Sequence, residues 1–333
     1  MKLSVIIIGR NEEQHIARSI RSVLAAAETD DTEVLYVDSA STDRTVSIVQ
    51  QYGIRIIQLR PEWPLTSSAG RYLGFINTTG EYVMFVDGDT VIYKTWLKKA
   101  MDYLEQSEQA AGTAGIVHEI FLDERGNRTG IKKNRYNTVK TGPVHVFGGI
   151  AMYRRSVLNR TGTFNPFIKA TPELELSLRI RKQGYRLIRL NEPMAITYAP
   201  IRESAAEIMR RARTGLYAMG STLKLCRRNG LALQYIRERM GFIIQFGLGA
   251  GVFLFTSAVF LVQGNFRLLG LLMLVCLSIL AGASLRKGGV RPVLVSMLKR
   301  SIILICTVRS LFYKQVPNAE EYPVDVIKPG RNT

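Results

Sequence analysis

Cysteine is scarce in this chain. Its three copies, Cys226, Cys276 and Cys306, are scattered, and two of them sit in apolar segments. Such spacing provides no metal-ligand set and no disulfide scaffold, and it suits a reducing compartment. Acidic residues are outnumbered as well, 27 against 45 Lys and Arg, which leaves a net charge of +18. An excess of that size points to anionic ligands or an anionic surface. Nucleic acid is disfavoured as the partner, because the arginines gather beside apolar runs and not along an aromatic-interleaved groove. No internal repeat and no low-complexity linker interrupts the sequence, so a repeat array is excluded. The opening MKLSVIIIGRNEE holds too short an apolar run for a signal peptide and reads as a strand.

Long apolar runs are present only towards the C-terminus. FIIQFGLGAGVFLFTSAVFLV (242–262) carries no charge over 21 residues, and after QGNFR comes LLGLLMLVCLSILAGASL (268–285), a further 18. About 20 apolar residues span a bilayer core, so 242–286 is expected to form a membrane hairpin of two spans. Arg227, Arg228, Arg237 and Arg239 precede it and Arg286, Lys287 and Arg291 follow, while Arg267 alone lies in the turn. The positive-inside rule then places both flanks, and the large N-terminal part, in the cytoplasm of a multi-pass cell-membrane protein. Residues 201–241 read as basic juxtamembrane helices. Within them RRARTG (210–215) offers Arg210, Arg211 and Arg213 either to a diphosphate or lipid phosphate, or to anionic headgroups that merely hold the helix down. A third stretch, 287–315, has Lys299 and Arg300 near its middle, which favours an interfacial amphipathic helix over a third span or a re-entrant pair. The end, 316–333, is expected to be a loosely ordered polar tail.

The N-terminal 200 residues are organised differently. Short runs rich in Val and Ile at 3–8, 33–38, 54–59 and 81–87 alternate with stretches of helical period at 12–27, 43–52 and 67–78. That alternation predicts an α/β domain with a Rossmann-like, mostly parallel sheet. Ligands of such sheets bind beyond the carboxyl ends of the strands. The polar residues to watch are therefore Arg10, Asn11 and Glu12, then Asp38, then Asp87 and Asp89. Two acids in D-x-D spacing at a strand end repel each other unless a cation or donor satisfies them, and a hard divalent cation with phosphate oxygens would do so. Further on, Gly148–Gly149 permits close backbone approach, and TPELELSLRIRKQG predicts a helix capped by Thr171 and stopped by Gly184.

IIIGRNEEQHI, VDSASTDRT, SSAGRYLGFINTTGEYVMFVDGDT and FGGIAMYRRSVLNRTGTFNPF…PELELSLRIRKQGYRL occur in this order. Together they resemble the motifs of a family 2 glycosyltransferase of the GT-A fold, over residues 1–200. The resemblance implies a nucleotide-sugar co-substrate, with UDP favoured over GDP on family frequency, and Mg²⁺ or Mn²⁺ on its diphosphate. It places the nucleotide against Gly9, Arg10, Asn11, Glu12 and Asp38, and the sugar near Asp87. Asp89 would be the metal ligand, Arg71 would support the donor pocket, and Glu173 would be the general base on an acceptor hydroxyl. Bland roles stay open beside these: Asp38 as a helix cap, Arg71 in packing, and Glu173 or Glu175 as first-turn acids that favour the helix dipole.

A transferase beside a bilayer suits a lipid-linked or membrane-proximal glycan acceptor. The Q-x-x-R-W sequence of processive synthases in the family is absent, so transfer of one sugar is expected, and the single base without a nucleophilic partner that the resemblance implies points to inversion. Two alternatives stand: an enzyme that charges polyprenyl phosphate, and a non-catalytic sugar-nucleotide sensor or polysaccharide-assembly scaffold. Anionic membrane lipids, a second copy of the chain and an assembly complex complete the partners this reading admits.

Overall fold

LSVIIIG becomes β1 (Leu3–Gly9), with every side chain from Leu3 to Ile8 buried. A strand covered on both faces needs apolar groups at both parities, and this explains an unbroken apolar run in place of an alternating one. It lies between β2 (Thr32–Asp38) and β4 (Tyr82–Asp87), with β3 (Arg55–Gln58) beyond β2, all four parallel. The crossovers are α1 (Ile16–Ala26), α2 (Thr45–Gln50) and α3 (Ser67–Ile76). In α1 the buried residues Ile16, Ser19, Ile20 and Val23 recur at one helical face, which seats it on the sheet. Helix α3 starts at Thr66, whose hydroxyl accepts from Ala69 N at 2.9 Å.

The computed structural model describes residues 1–27, 31–123, 125–200, 204–287 and 289–324. Past β4 come β5 (Thr90–Ile92), α4 (Trp96–Gln106), β6 (Ala110–Leu122), β7 (Arg128–Lys132), β8 (Gly142–Val144), β9 (Ala151–Arg154), α5 (Arg155–Thr161), α6 (Pro172–Lys182) and β10 (Arg186–Pro200). The sheet order is β3-β2-β1-β4-β9-β6-β10-β5, with β7 on β6 and β8 on β10. The expectation of a mostly parallel sheet is corrected here. The sheet is mixed, because β9 runs against both of its neighbours, β4 and β6. Its first residue, Ala151, pairs with Phe85 near the carboxyl end of β4. The chain thus enters β9 at the carboxyl edge, with no helix to carry it back to the other end first, and it can only run the opposite way.

Helix α6 has Pro172 at its start, acids in its first turn and Arg179, Arg181 and Lys182 in its last, and Gly184 ends it with φ +85°. Thr171 does occupy the N-cap position, but with φ 53° and without the expected side-chain cap.

The chain divides into two compact units, Met1–Ile201 with Gln315–Thr333, and Arg202–Lys314. The second is helical: α7 (Ala205–Arg213), α8 (Met219–Arg228), α9 (Ala232–Tyr235), a π-helical turn over Ile236–Met240, α10 (Gly241–Val262), α11 (Phe266–Lys287) and α12 (Val290–Leu311). Helix α8 lies on α12, where Gly220 N donates to Ser310 Oγ at 2.9 Å and Thr307 Oγ1 to Tyr217 O at 3.3 Å. The third apolar stretch is one continuous helix, so a re-entrant pair is not formed. Among the described residues one helical run, Ala232–Val262, is long and apolar enough to cross a membrane, and α11 contributes the shorter apolar stretch Phe266–Cys276.

The tail expectation is corrected as well. Residues from Gln315 rejoin the first unit, where Val316 and Tyr322 are buried. The physical reason is a single aromatic side chain: the ring of Tyr322 lies among those of Trp63, Tyr72 and Phe167. Residues 325–333 of that expected tail lie outside the described residues.

Candidate active site

Register brings the candidate residues together. Gly9 is paired with Asp38 and Ile8 with Asp87, so three adjacent parallel strands end at one edge. The loops that follow are laced to each other. Asn11 N donates to Ser41 Oγ at 2.9 Å and Thr42 N to Asn11 Oδ1 at 2.8 Å. Glu12 N donates to Thr45 Oγ1 at 2.7 Å, and Glu13 N to Asp43 Oδ2 at 3.2 Å. Asn11 and Ala40 hold left-handed backbone, each with φ 56°.

Asp38 sits at the root of this lacing and is fully buried. Its carboxylate accepts from Ser41 N at 2.8 Å, Ser41 Oγ at 2.5 Å and Gln58 Nε2 at 3.0 Å. It therefore shapes the Ser39–Thr42 loop, and it does not cap α2, where Asp43 accepts from Thr45 N instead. Arg10 and Asn11 are exposed at the edge.

Beside Asp89 opens a cavity of about 350 Å³, lined by Asn11, Glu12, Glu13, Gln14, His15, Asp43, Asp89 and Tyr198. Tyr198 N donates to Asp89 O at 3.2 Å, which fixes the end of β10 against the D-x-D turn. The Tyr198 ring stacks on His15 at 5.5 Å, and the Arg18 guanidinium carbon lies 4.4 Å from its centre. Burial, and then Arg18, hold His15 below the usual histidine range. Glu12 is pushed up to about 8, first by burial and then by the charges of Asp89, Asp87 and Asp43. Four carboxyl groups thus crowd one edge, and a cation there would relieve their repulsion.

The donor set fits a hard cation in that sense. Asp89 and Asp87 supply oxygen, but among the described residues no three His, Cys, Asp or Glu side chains converge on a metal site. An ion held here would take its remaining ligands from diphosphate oxygens and water, as Mg²⁺ commonly does.

On the other side of the edge, Arg71 of α3 is 2% exposed and joins two acids. Its Nη2 donates to Asp87 Oδ1 at 2.7 Å, and its Nη1 lies 3.5 Å from Glu173 Oε1. Gly149 leaves room for this: a Cβ there would meet Arg71 Nη2 and stand 2.9 Å from Asp87 Oδ2. The expected close approach at Gly148–Gly149 is what the structure contains, with Tyr136 Oη over Gly148. Glu175 has a different place. It is 1% exposed and paired with Arg179 at 2.7 Å, and Arg179 also donates to the carbonyls of Thr161, Gly162 and Thr163. Of the two acids on α6, Glu173 is the one that meets the site.

Arg210, Arg211 and Arg213 belong to the second unit, on α7. Arg210 and Arg211 both pair with the buried Glu207, at 2.6 and 3.0 Å, while Arg213 is exposed. Residues that motif reading missed are His15, Tyr198, Ser41 and Gln58. Nothing local marks Tyr198, which reaches Asp89 only through strand pairing across the sheet.

The mixed α/β sheet, with acids at the carboxyl edge of its parallel strands, is GT-A-like in fold. Residues 4–162 match the family described as Glycosyl transferase family 2. EpsE of Bacillus subtilis (strain 168), whose name places it among glycosyltransferases, is 29% identical over 246 residues, 70% of this chain and 84% of its own. The poly(ribitol-phosphate) β-N-acetylglucosaminyltransferase TarS of Staphylococcus aureus (strain Mu50) is 35% identical over 116 residues, but that is 32% of this chain and 19% of TarS. The crystal structure of S. aureus TarS 1–349 in complex with UDP-GlcNAc superposes with a TM-score of 0.50 at 20% identity, over 66% of this chain and 67% of that one. At that identity the likeness concerns the fold alone.

Proposed function

We propose that the protein is an inverting glycosyltransferase that moves one sugar from a nucleotide-diphosphate sugar to a hydroxyl of a lipid-linked or membrane-proximal glycan. The observation that carries this reading is the guanidinium of Arg71 between Asp87 and Glu173, at the strand edge that also bears Asp89. UDP is the favoured nucleotide, in keeping with the UDP-GlcNAc of the TarS structure.

Arg71 holds Asp87 in place beside the donor sugar. Glu173, half-open to the site, accepts the proton of the acceptor hydroxyl as its oxygen attacks the anomeric carbon. The bond from that carbon to the diphosphate breaks on the opposite face, so configuration inverts. The nucleoside diphosphate leaves with the electron pair. A divalent cation on Asp89 would supply charge neutralisation for that leaving group. Asp38 and Asn11 order the loops against which the nucleotide rests.

The membrane reading concerns the second unit. Leu248, Val252, Leu254 and Phe255 of α10 are exposed, as are Leu271 and Leu274 of α11, and lipid is the occupant such faces suit. The chain leaves the first unit at Ile201 and rejoins it at Gln315. A domain that stays on one side of a bilayer can be left and rejoined only through an even number of crossings. With Ala232–Val262 as the first, α11 is its return, and α12 stays at the interface with Lys299 and Arg300. The arginine-rich flanks put the first unit in the cytoplasm.

The test is a donor-hydrolysis screen on detergent-purified full-length protein with UDP- and GDP-sugars and Mg²⁺ or Mn²⁺. Wild type runs beside Asp89→Ala and Glu173→Gln. Metal-dependent release of UDP from one donor, lost in Asp89→Ala, supports the reading. Transfer to polyprenyl phosphate that survives Glu173→Gln would move the assignment to that acceptor. Tight donor binding without turnover in a folded sample would replace the enzyme by a sensor.

A further inference from the structure

The structure assigns a second job to the last described segment of the chain: we infer that Tyr322 is a positioning residue, which holds the elements carrying Arg71 and Glu173 at their working separation. The inference rests on the transferase reading above. Tyr322 is 2% exposed, although it follows a stretch that is mostly polar. Its ring centre lies 5.6 Å from that of Trp63, 5.5 Å from Phe167 and 6.5 Å from Tyr72, each edge-on, and its hydroxyl donates to Pro64 O at 3.0 Å.

These partners lie on two different loops. Trp63 and Pro64 precede Thr66, the N-cap of α3, and α3 carries Arg71 with Tyr72 next to it. Phe167 lies in the loop that leads to Thr171 and Pro172, and so to Glu173 in the first turn of α6. The two loops also touch directly, where Thr66 Oγ1 donates to Pro166 O at 2.6 Å and the rings of Trp63 and Phe167 lie 6.3 Å apart. Tyr322 fills the space between their aromatic side chains, and Asn165 Nδ2 fastens the same strap through Pro317 O at 3.0 Å. The strap has its own internal order, a capping box in which Asn318 N donates to Glu321 Oε1 at 2.7 Å.

The separation so held is a sensitive one. Arg71 Nη1 and Glu173 Oε1 stand 3.5 Å apart, at the outer limit of a hydrogen bond. A small slide of α3 against α6 would break that contact, while the sheet beneath, with β1 and β4 paired along their length, would not feel it. The strap begins at Gln315, directly after the helical unit ends at Lys314.

The experiment uses full-length protein in detergent and compares Tyr322→Ala, Tyr322→Phe and Asn318→Ala with wild type. Hydrogen exchange is followed at 60–76 and 163–176, together with kcat and KM for UDP-GlcNAc hydrolysis. Tyr322→Ala is expected to speed exchange in both segments about tenfold with β1 and β4 unchanged. It should also lower kcat about tenfold while KM moves less than about threefold, since geometry and not donor affinity is lost. Tyr322→Phe keeps the ring and should return kcat to within about twofold of wild type. If Tyr322→Ala fails to fold, Asn318→Ala, which loosens the strap from its own end, is expected to give the same pattern in weaker form. The inference is overturned if the strap is released and exchange quickens only within 315–324, or if kcat and KM stay at wild-type values. Should wild type hydrolyse no donor, the transferase reading fails on that arm, and the exchange arm still decides whether Tyr322 joins the two loops.

Discussion

Arg71 reaches Asp87 at 2.7 Å and Glu173 at 3.5 Å from a position 2% exposed, so one buried guanidinium sets the spacing of two acids that come from different parts of the chain. The backbone of Gly149 closes over that contact. Gly149→Ala would drive a methyl group into Arg71 Nη2 and against Asp87, and it is expected to lower donor turnover about 100-fold, the scale of a displacement near 1 Å at a reacting centre. Arg71→Lys is expected to do the same, because an ammonium lacks the fork that joins two carboxylates. Steady-state hydrolysis of the donor found in the screen checks both. Turnover near wild type in either variant would remove the pair from the mechanism.

The two acids of α6 separate by readout. Glu173→Gln is expected to abolish transfer to a hydroxyl acceptor with the melting temperature unchanged. Glu175→Ala is expected to cost roughly 3 kcal/mol of stability, because it strands the partly buried Arg179 and loosens the Thr161–Thr163 turn. Thermal melts beside transfer assays decide this. A folded Glu175→Ala without transfer, beside an active Glu173→Gln, would exchange the two roles.

Ala40 carries φ 56° in the loop laced to Asn11. A left-handed alanine costs about 1–2 kcal/mol that glycine does not. Glycine gives back part of this in the unfolded chain, where it is the freer residue. Ala40→Gly is therefore expected to stabilise the first unit by about 1 kcal/mol. Denaturant midpoints at constant slope are the check, and a lower midpoint would show that the loop is relaxed as alanine.

Glu33 ties β2 to the turn before β4. It accepts from Ser4 Oγ at 2.8 Å, Thr79 N at 2.6 Å and Gly80 N at 3.2 Å. Burial alone would raise its carboxyl, yet these donors, with Arg55, hold it below the ordinary glutamate range. A folded-state value below the unfolded one gives stability that is present above the unfolded value, near 4.5, and lost as pH falls through the folded one. Glu33→Gln is expected to flatten that acid limb and to melt lower than wild type at pH 7. Melting curves between about pH 3 and pH 7 test it, and an unchanged limb would assign the acid sensitivity to other carboxylates.

Much of the first unit was legible because its signals are local. Runs such as LSVIII and YVMFVD can only be strands buried on both faces, and residues just past their ends fall at one edge whatever else the chain does. Asp38, Asp87 and Asp89 were found in that way. Pro172 and Gly184 marked the limits of α6 by their own dihedral preferences. The direction of β9 was not legible, since a short strand reads the same both ways and only its point of entry beside β4 orients it. Tyr198 carried no motif, and its place by Asp89 comes from pairing across the sheet. The resemblance singled out Glu173, while residue type alone left Glu175 open beside it, and only their partners, Arg71 and Arg179, separate them in space.

The amino-acid sequence by itself determined the strand–helix alternation, the acidic edge and the apolar character of the helical unit, because periodicity, β-branching and hydropathy act within a few residues. Tertiary structure alone decided which acid of α6 meets Arg71, that Asp38 is spent on its own loop, and that Tyr322 returns from the far end of the chain to lie between Trp63 and Phe167. Those outcomes depend on side chains far apart in sequence competing for the same space and the same hydrogen-bond partners, and no local pattern encodes the result of that competition.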